Sequence, residues 1–367
     1  MLVVTVNSGS TSVKLAAFEA PPAGAAQRIE HEQRSGEDSG PADVLQQFLS
    51  KLRMRPDAIA HRVVHGGTRF TAPVLIDPGV SEAICRLSGL APLHNPKALE
   101  WIDAARTVAG PQVAQIAAFD TSFFCALPRV AAEYALAHRF GVAEEVRRYG
   151  FHGLAHEALW RRWCLLHPGL PRGGKVITLQ LGGGCSAAAI ERGCPLDTTM
   201  GFSPLEGLVM ATRSGDIDPA VVPYLQRRLA MSADEIISLL NHESGLAGMT
   251  GGVTDLGQLS ADPSPQSQFA VELYCYRLRK YIGAYLAVLG GCDGIVFGGG
   301  VGEHVPAVRG RILGKMGWAG IEIDAAANEA ARGQEARIDA PKGTVRVHVI
   351  PVEEELLLVE AAVALLK

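Results

Sequence analysis

The chain has 367 residues, a length that suggests roughly two domains at ~150 residues each, and 48% of its residues are hydrophobic. Its 34 basic and 38 acidic residues leave a formal net charge of −4, which supplies no chain-wide field for nucleic acid or an anionic membrane. No apolar run approaches the ~18 residues of a spanning helix, and Met1–Asn7 lacks the basic region of a secretory leader. Seven cysteines without a CxxC pair form neither a disulfide framework nor a zinc pattern. A soluble cytoplasmic protein is expected.

Taken in chain order, short β-branched runs predict strands at Leu2–Val6, Val13–Phe18, Ala58–Val64 and Val113–Phe119. Further strands are expected at Val176–Leu181, Ala187–Glu191, Gly294–Phe297 and Val345–Ile350. Helical patterns cover Pro41–Leu52, Pro96–Val108, Leu154–Leu166, Asp218–Leu229, Ala233–Leu240, Gln266–Leu289 and Glu353–Leu366. Asp218 reads as an N-cap before Pro219. Segments 20–41 and 260–266, rich in Pro, Gly, Ser and Asp, read as surface loops. The mixture is that of an α/β chain.

One internal echo stands out. Val3-Val4-Thr5-Val6-Asn7-Ser8-Gly9-Ser10 resembles Val176-Ile177-Thr178-Leu179-Gln180-Leu181-Gly182-Gly183, and each precedes a second apolar run. Both read as β-hairpins with a small polar turn, which suggests a duplicated fold with a cleft between its halves.

Forty-one glycines cluster after the apolar runs, where positive φ or close approach of backbone to a ligand is needed. The first turn, Asn7-Ser8-Gly9-Ser10-Thr11-Ser12-Val13-Lys14, offers amides, hydroxyls and a lysine to phosphate oxygens, or is simply a Ser-rich hairpin turn. It is not a Walker loop. His61-Arg62-Val63-Val64-His65 ends a strand with three potentially cationic side chains, and a proline-bracketed turn aims His94. Phe119-Asp120 sets a carboxylate directly after a strand, where α/β folds present ligand-facing groups. A Gly-flanked histidine, His152, and an arginine beside two acids, Arg213, follow. The run Phe297-Gly298-Gly299-Gly300-Val301-Gly302-Glu303 leaves a strand and opens a helix, where a nucleoside can lie on bare backbone. Glu353-Glu354-Glu355 either favours the helix dipole or supplies a Mg²⁺ ligand. Together these are the parts of a phosphoryl-transfer site.

The motifs, in order from the first turn through His61–Gly67, Ala91–Pro96, Phe119-Asp120-Thr121, Arg148–Gly153, Asp197–Phe202, Pro204–Leu208 and Thr212–Pro219, resemble the acetate kinase family from end to end. The resemblance implies two related actin-like domains around a nucleotide cleft, at 1–120 plus 357–367 and at 121–356, and a homodimer. It implies Mg²⁺-dependent (or Mn²⁺-dependent) transfer of the ATP γ-phosphoryl group to acetate, giving acetyl phosphate. By matching position, Arg62, Asp120, His152 and Arg213 would be catalytic, and Asn7 and Glu354 would hold the metal. Val64, Leu93, His94, Phe151 and Pro204 would join Arg62 around the acyl group. Asn7, Ser10, Ser12, Lys14, Gly182, Gly183, Asp255, Gly299, Gly300 and Gly302 would line the nucleotide.

The sequence departs from the family pattern on the donor side. Gln180-Leu181-Gly182-Gly183-Gly184 replaces a turn that carries a histidine and an asparagine, and Thr254-Asp255-Leu256-Gly257-Gln258 lacks an arginine. His304 stands where the family has asparagine. Alternatives are therefore a propionate or other short-chain acyl kinase, a non-ATP donor such as another nucleotide or pyrophosphate, or a degenerate sensor. No nucleic-acid or membrane partner is indicated.

Overall fold

The computed structural model describes residues 1–9, 12–21, 24–35, 39–137, 139 and 145–367. They form two compact units: Met1–Cys125 with Phe151–Leu154 and Glu353–Lys367, and Ala126–Gly150 with Ala155–Val352. Among the described residues no helix is long and apolar enough to cross a membrane.

The first unit is built on β1 (Leu2–Ser8), β2 (Ser12–Glu19), β3 (Gln27–Ser35), β4 (Ala58–Val63), β5 (Val74–Leu75) and β6 (Ala114–Phe119), in the order β3-β2-β1-β4-β6-β5. The second has β7 (Lys175–Leu181), β8 (Cys185–Glu191), β9 (Cys194–Thr198), β10 (Gly294–Gly298), β11 (Ala336–Arg337) and β12 (Arg346–Val349), in the order β9-β8-β7-β10-β12-β11. Each strand has a counterpart six places later in the chain. The pairing sense is also the same: two antiparallel pairs, two parallel pairs, then an antiparallel edge strand. The echoed segments are indeed the first strands of two hairpins, and the duplication extends over both whole sheets.

Alternation along β1 and β4 divides the first sheet. Val4, Val6 and Ile59 join Leu45 and Phe48 of helix Pro41–Ser50 and Trp101 and Ala105 of helix Asn95–Ala109 in one core. Side chains of opposite parity point to the other face, and helix Glu354–Leu366 packs across β1, β4 and β6. Asn7 and Arg62 therefore emerge on the face away from that core.

Several elements differ from the sequence reading. Segment 20–41 is not all loop, because Gln27–Ser35 forms β3. Among the described residues that strand pairs only with β2, and an outer strand without an apolar face carries no alternation to read. Cys194–Thr198 was hidden by Pro195, which is tolerated because β9 lies at a sheet edge. The helix expected from Asp218 begins at Val221. Asp218 instead makes a turn, its Oδ1 accepting from the Ala220 amide at 2.8 Å. Helices Leu256–Ala261 and Pro265–Leu289 leave only residues 262–264 of the expected 260–266 loop.

Candidate functional site

Within the first unit, three adjacent parallel strands end in Asn7, Arg62 and Asp120. The registers Val6↔His61 and Val63↔Phe119 set these residues side by side at the carboxyl ends of the strands. Arg62 donates from Nε to Asp120 Oδ1 at 3.0 Å, from Nη2 to Oδ2 at 2.6 Å, and from Nη1 to Asn7 Oδ1 at 3.0 Å. The Asn7 amide then donates to Glu354 Oε2 at 2.7 Å. Glu354 opens the helix that covers this face.

Burial works against the Arg62 charge, yet the neighbouring Asp120 and Glu354 carboxylates hold its pKa above the ordinary arginine value. Three of its five N–H donors are used, so each terminal nitrogen keeps one for a ligand. Lys14 is exposed and lies directly opposite Asn7 across β1 and β2, hence on the same face. The Ser12 carbonyl closes the hairpin turn by accepting from the Gly9 amide at 2.8 Å. Ser10 lies outside the described residues.

The segment Phe151–Leu154 returns to this unit against Asp120. A Cβ on Gly153 would lie 1.9 Å from the Asp120 carbonyl oxygen, so only glycine allows the approach. His152 just before it has φ +57°, a left-handed conformation that disfavours a side chain. Phe151 and Val64 are buried, and Phe151 meets the His65 ring edge-on at 5.5 Å. Leu93 is exposed, and His94 is half-buried at the start of helix Asn95–Ala109.

The histidines flanking Arg62 are not cations. Burial pushes His61 and His65 down to about 4, although a hydrogen bond to Gln115 opposes the shift at His61. His65 Nδ1 accepts from the Gly67 amide at 3.0 Å. Asn95, unremarked in the sequence, is the neighbouring anchor. It accepts from the His65 amide at 3.1 Å and donates to the His65 carbonyl at 3.0 Å. An asparagine after a histidine before proline gave no signal of that backbone clamp.

In the second unit, Gly182–Gly184 form the β7–β8 turn, and the Gly183 carbonyl accepts from the Ala211 amide at 3.1 Å. The turn is thereby tied to the loop that carries Arg213. That loop is pinned from several sides. Asp216 accepts from the Gly207 amide at 2.8 Å and from Tyr281 at 2.6 Å, while Glu206 accepts from Arg148 at 2.6 Å and from Tyr134.

Arg213 itself donates to the Pro204 carbonyl at 3.3 Å and to Met210 Sδ at 3.9 Å. It has no carboxylate partner among the described residues. Burial lowers its pKa from the ordinary arginine value, so an incoming anion would stabilise it. Pro204 is half-buried on the adjoining turn.

The glycine run is less open than its sequence suggests. Gly299 and Gly302 face Leu181, and a Cβ on Gly299 would lie 2.6 Å from the Leu181 carbonyl oxygen. Gly300 is exposed, and neither it nor Gly183 has a neighbour within 4 Å of a Cβ position. Asp255 caps helix Leu256–Ala261 by accepting from the Gln258 amide at 2.6 Å. Gln180 Oε1, at the place equivalent to Asn7, is buried and finds no hydrogen-bond partner among the described residues.

The neutral histidines make stability acid-sensitive. Their folded pKa of about 4 lies below the ordinary 6.5, so the unfolded chain binds more protons between those values. The stabilisation is whole above pH 6.5 and is lost as pH falls towards 4, by about 3 kcal/mol for each such ring. Urea unfolding at pH 7, 6 and 5 should show this decline, and His61→Gln should shrink it. A wild-type midpoint unchanged from pH 7 to 5 would contradict neutral burial.

Comparison with known proteins places this geometry in context. The family model described as the Acetokinase family matches residues 41–360. The chain is 44% identical over 306 residues to the acetate kinase of Chloroherpeton thalassium, covering 82% of this chain and 73% of that protein. It is 46% identical over 312 residues to the acetate kinase of Clavibacter sepedonicus, covering 84% and 78%. Among solved structures, Porphyromonas gingivalis acetate kinase superposes with a TM-score of 0.87 at 33% identity, covering all of both chains. A propionate kinase from Francisella tularensis superposes with a TM-score of 0.87 at 32% identity and 98% coverage of each. The chain belongs to the acetokinase family of carboxyl-group phosphotransferases, with that family's two-domain α/β fold.

Proposed function

We propose that the chain catalyses reversible transfer of the ATP γ-phosphoryl group to acetate, giving acetyl phosphate and ADP. The observation that carries this reading is the hydrogen-bonded chain Glu354–Asn7–Arg62–Asp120 at the ends of three parallel strands. An acetate oxygen attacks the γ-phosphorus as the bond to the β-bridging oxygen breaks. The work left to the protein is positioning and charge stabilisation.

Arg62, oriented by Asp120 and Asn7, offers its two remaining donors to the acetate carboxylate. Val64, Leu93 and Phe151 of the first unit border the methyl group beside His94, and Pro204 of the second unit is assigned to the same acyl group. A pocket difference of one methylene is worth only ~1–3 kcal/mol, so propionate is expected as a slower substrate. Arg213, without a carboxylate of its own, takes the charge of the transferring phosphoryl group, and His152 donates to one of its oxygens.

The oxygen donors of Glu354, Asp120 and Asn7 suit Mg²⁺ or Mn²⁺. Among the described residues no cluster of three His, Cys, Asp or Glu could hold a metal ion. A cation there would be held by one or two carboxylates, with water and substrate phosphates as its other ligands. When bound there, the metal neutralises donor phosphate charge. Lys14, Ser12 and the Gly182–Gly183 turn contact the phosphates, while Gly299, Gly300, Gly302 and Asp255 border the nucleoside.

A hydroxylamine trap with acetate, Mg²⁺ and each of ATP, GTP and pyrophosphate tests the reaction. Hydroxamate is expected with ATP, and Arg213→Ala should lower the rate by about 10²–10³ while leaving the far-UV circular dichroism unchanged. Activity of that variant within tenfold of wild type would remove Arg213 from its role. Product only with another donor would keep the acyl chemistry and replace ATP. No product with any donor would overturn the enzyme reading.

The same reading includes a homodimer. Helix Val221–Leu229 buries none of its residues, and Tyr224, Leu229 and, on the next helix, Ile237 are exposed apolar side chains. Arg227 and Arg228 end the first helix, and Asp234 and Glu235 begin the second. Opposite charges on one hairpin can pair with a second copy across a two-fold axis. Light scattering should report a dimer that Tyr224→Glu with Leu229→Glu converts to monomer. A monomeric wild type would contradict it.

A further inference from the structure

Glu303 ends the glycine run, yet its side chain turns back on it. The Oε1 atom accepts from the Gly299 amide at 2.9 Å and from the Val352 amide at 3.2 Å. One carboxylate oxygen thus joins two segments more than forty residues apart in sequence.

Each bond fixes something different. The first caps the six-residue helix Gly299–His304, so that terminal amide is engaged by the protein itself. Gly299, at φ +75°, is pressed against the Leu181 backbone, immediately before the Gly182–Gly184 turn. The second bond holds Val352, the last residue of its unit, two positions before Glu354. The other end of the short helix is held as firmly. Arg309, fully buried, donates from Nη1 to the Gly302 carbonyl at 2.7 Å and to the Glu303 carbonyl at 3.2 Å. Its Nη2 donates to the Asn328 and Ala331 carbonyls at 2.7 Å each.

We infer that Glu303 is a positioning residue that sets the nucleotide-side glycines and the backbone leading to Glu354 from a single atom. The inference rests on the proposed kinase reading and deepens it. The carboxylate touches no reacting group. Its loss lets the glycine helix and residues 352–354 shift independently, which weakens nucleotide and metal use.

Glu303→Ala removes both bonds, whereas Glu303→Gln retains a carbonyl oxygen that can accept both. Calorimetric ATP binding, hydrogen exchange at Gly299 and Val352, and steady-state kinetics give three readouts. The alanine variant should weaken ATP binding and raise both the ATP KM and the Mg²⁺ requirement at least tenfold. Exchange at both amides should quicken. The glutamine variant should remain within threefold of wild type in every readout.

Unchanged ATP binding in Glu303→Ala overturns the inference alone. A glutamine variant as defective as alanine also overturns it, because the charge rather than the two bonds would then matter. A wild type that binds no nucleotide overturns this inference and the kinase reading together.

Discussion

A guanidinium in a largely buried position must be paid for by compensating charge, and Arg62 sets that requirement for the first unit. Burial opposes its charge, and the Asp120 and Glu354 carboxylates more than offset the opposition. Meeting that requirement dictates the surrounding architecture. β1, β4 and β6 must run parallel in register to bring Asn7, Arg62 and Asp120 to one edge. Helix Glu354–Leu366 must come from the far end of the chain to supply the last carboxylate. Gly153 must lack a side chain so that the His152 segment can approach Asp120. Removing one partner of such a pair leaves an uncompensated charge, which costs more than the pair contributes when intact.

The duplicated sheets present two different sets of groups on one topology. At corresponding strand ends, the first unit presents Asn7 and Arg62, whereas the second presents Gln180 and the glycines from Gly298 onward. Charged groups suit a reacting carboxylate and phosphate. Bare backbone suits the flat, largely uncharged surface of a nucleoside. The positions that the sequence pattern marks as unlike the family, Gln180, Gly183, Gly257 and His304, all fall in the second unit. Open space over Gly183 shows that the turn itself does not require glycine at that position.

Much of this arrangement was legible because chemistry-bearing residues follow apolar runs directly. Asn7, Arg62 and Asp120 each stand at a strand end that β-branched residues announce, and the hairpin echo already signalled duplication. Outer strands were illegible for a physical reason: β3 has no buried face to impose alternation, and β9 contains a proline that only an edge tolerates. Protonation was equally hidden. In the sequence His61 and His65 are only potentially cationic beside Arg62, and burial, which no local pattern records, keeps them neutral. The backbone contacts of Glu303, Asn95 and Arg309 were not legible because each acts on backbone groups distant in sequence or looks like an ordinary helix residue.

The central claim is that Glu354, Asn7, Arg62 and Asp120 act as one unit. A double-mutant cycle on Asn7→Ala and Glu354→Gln, reading kcat/KM for acetate and the Mg²⁺ concentration at half-maximal rate, tests it most directly. Each single change should cost about 10²-fold or more, and the double variant should be no worse than the poorer single one. Costs that multiply would contradict the account, because the two side chains would then serve the reaction independently.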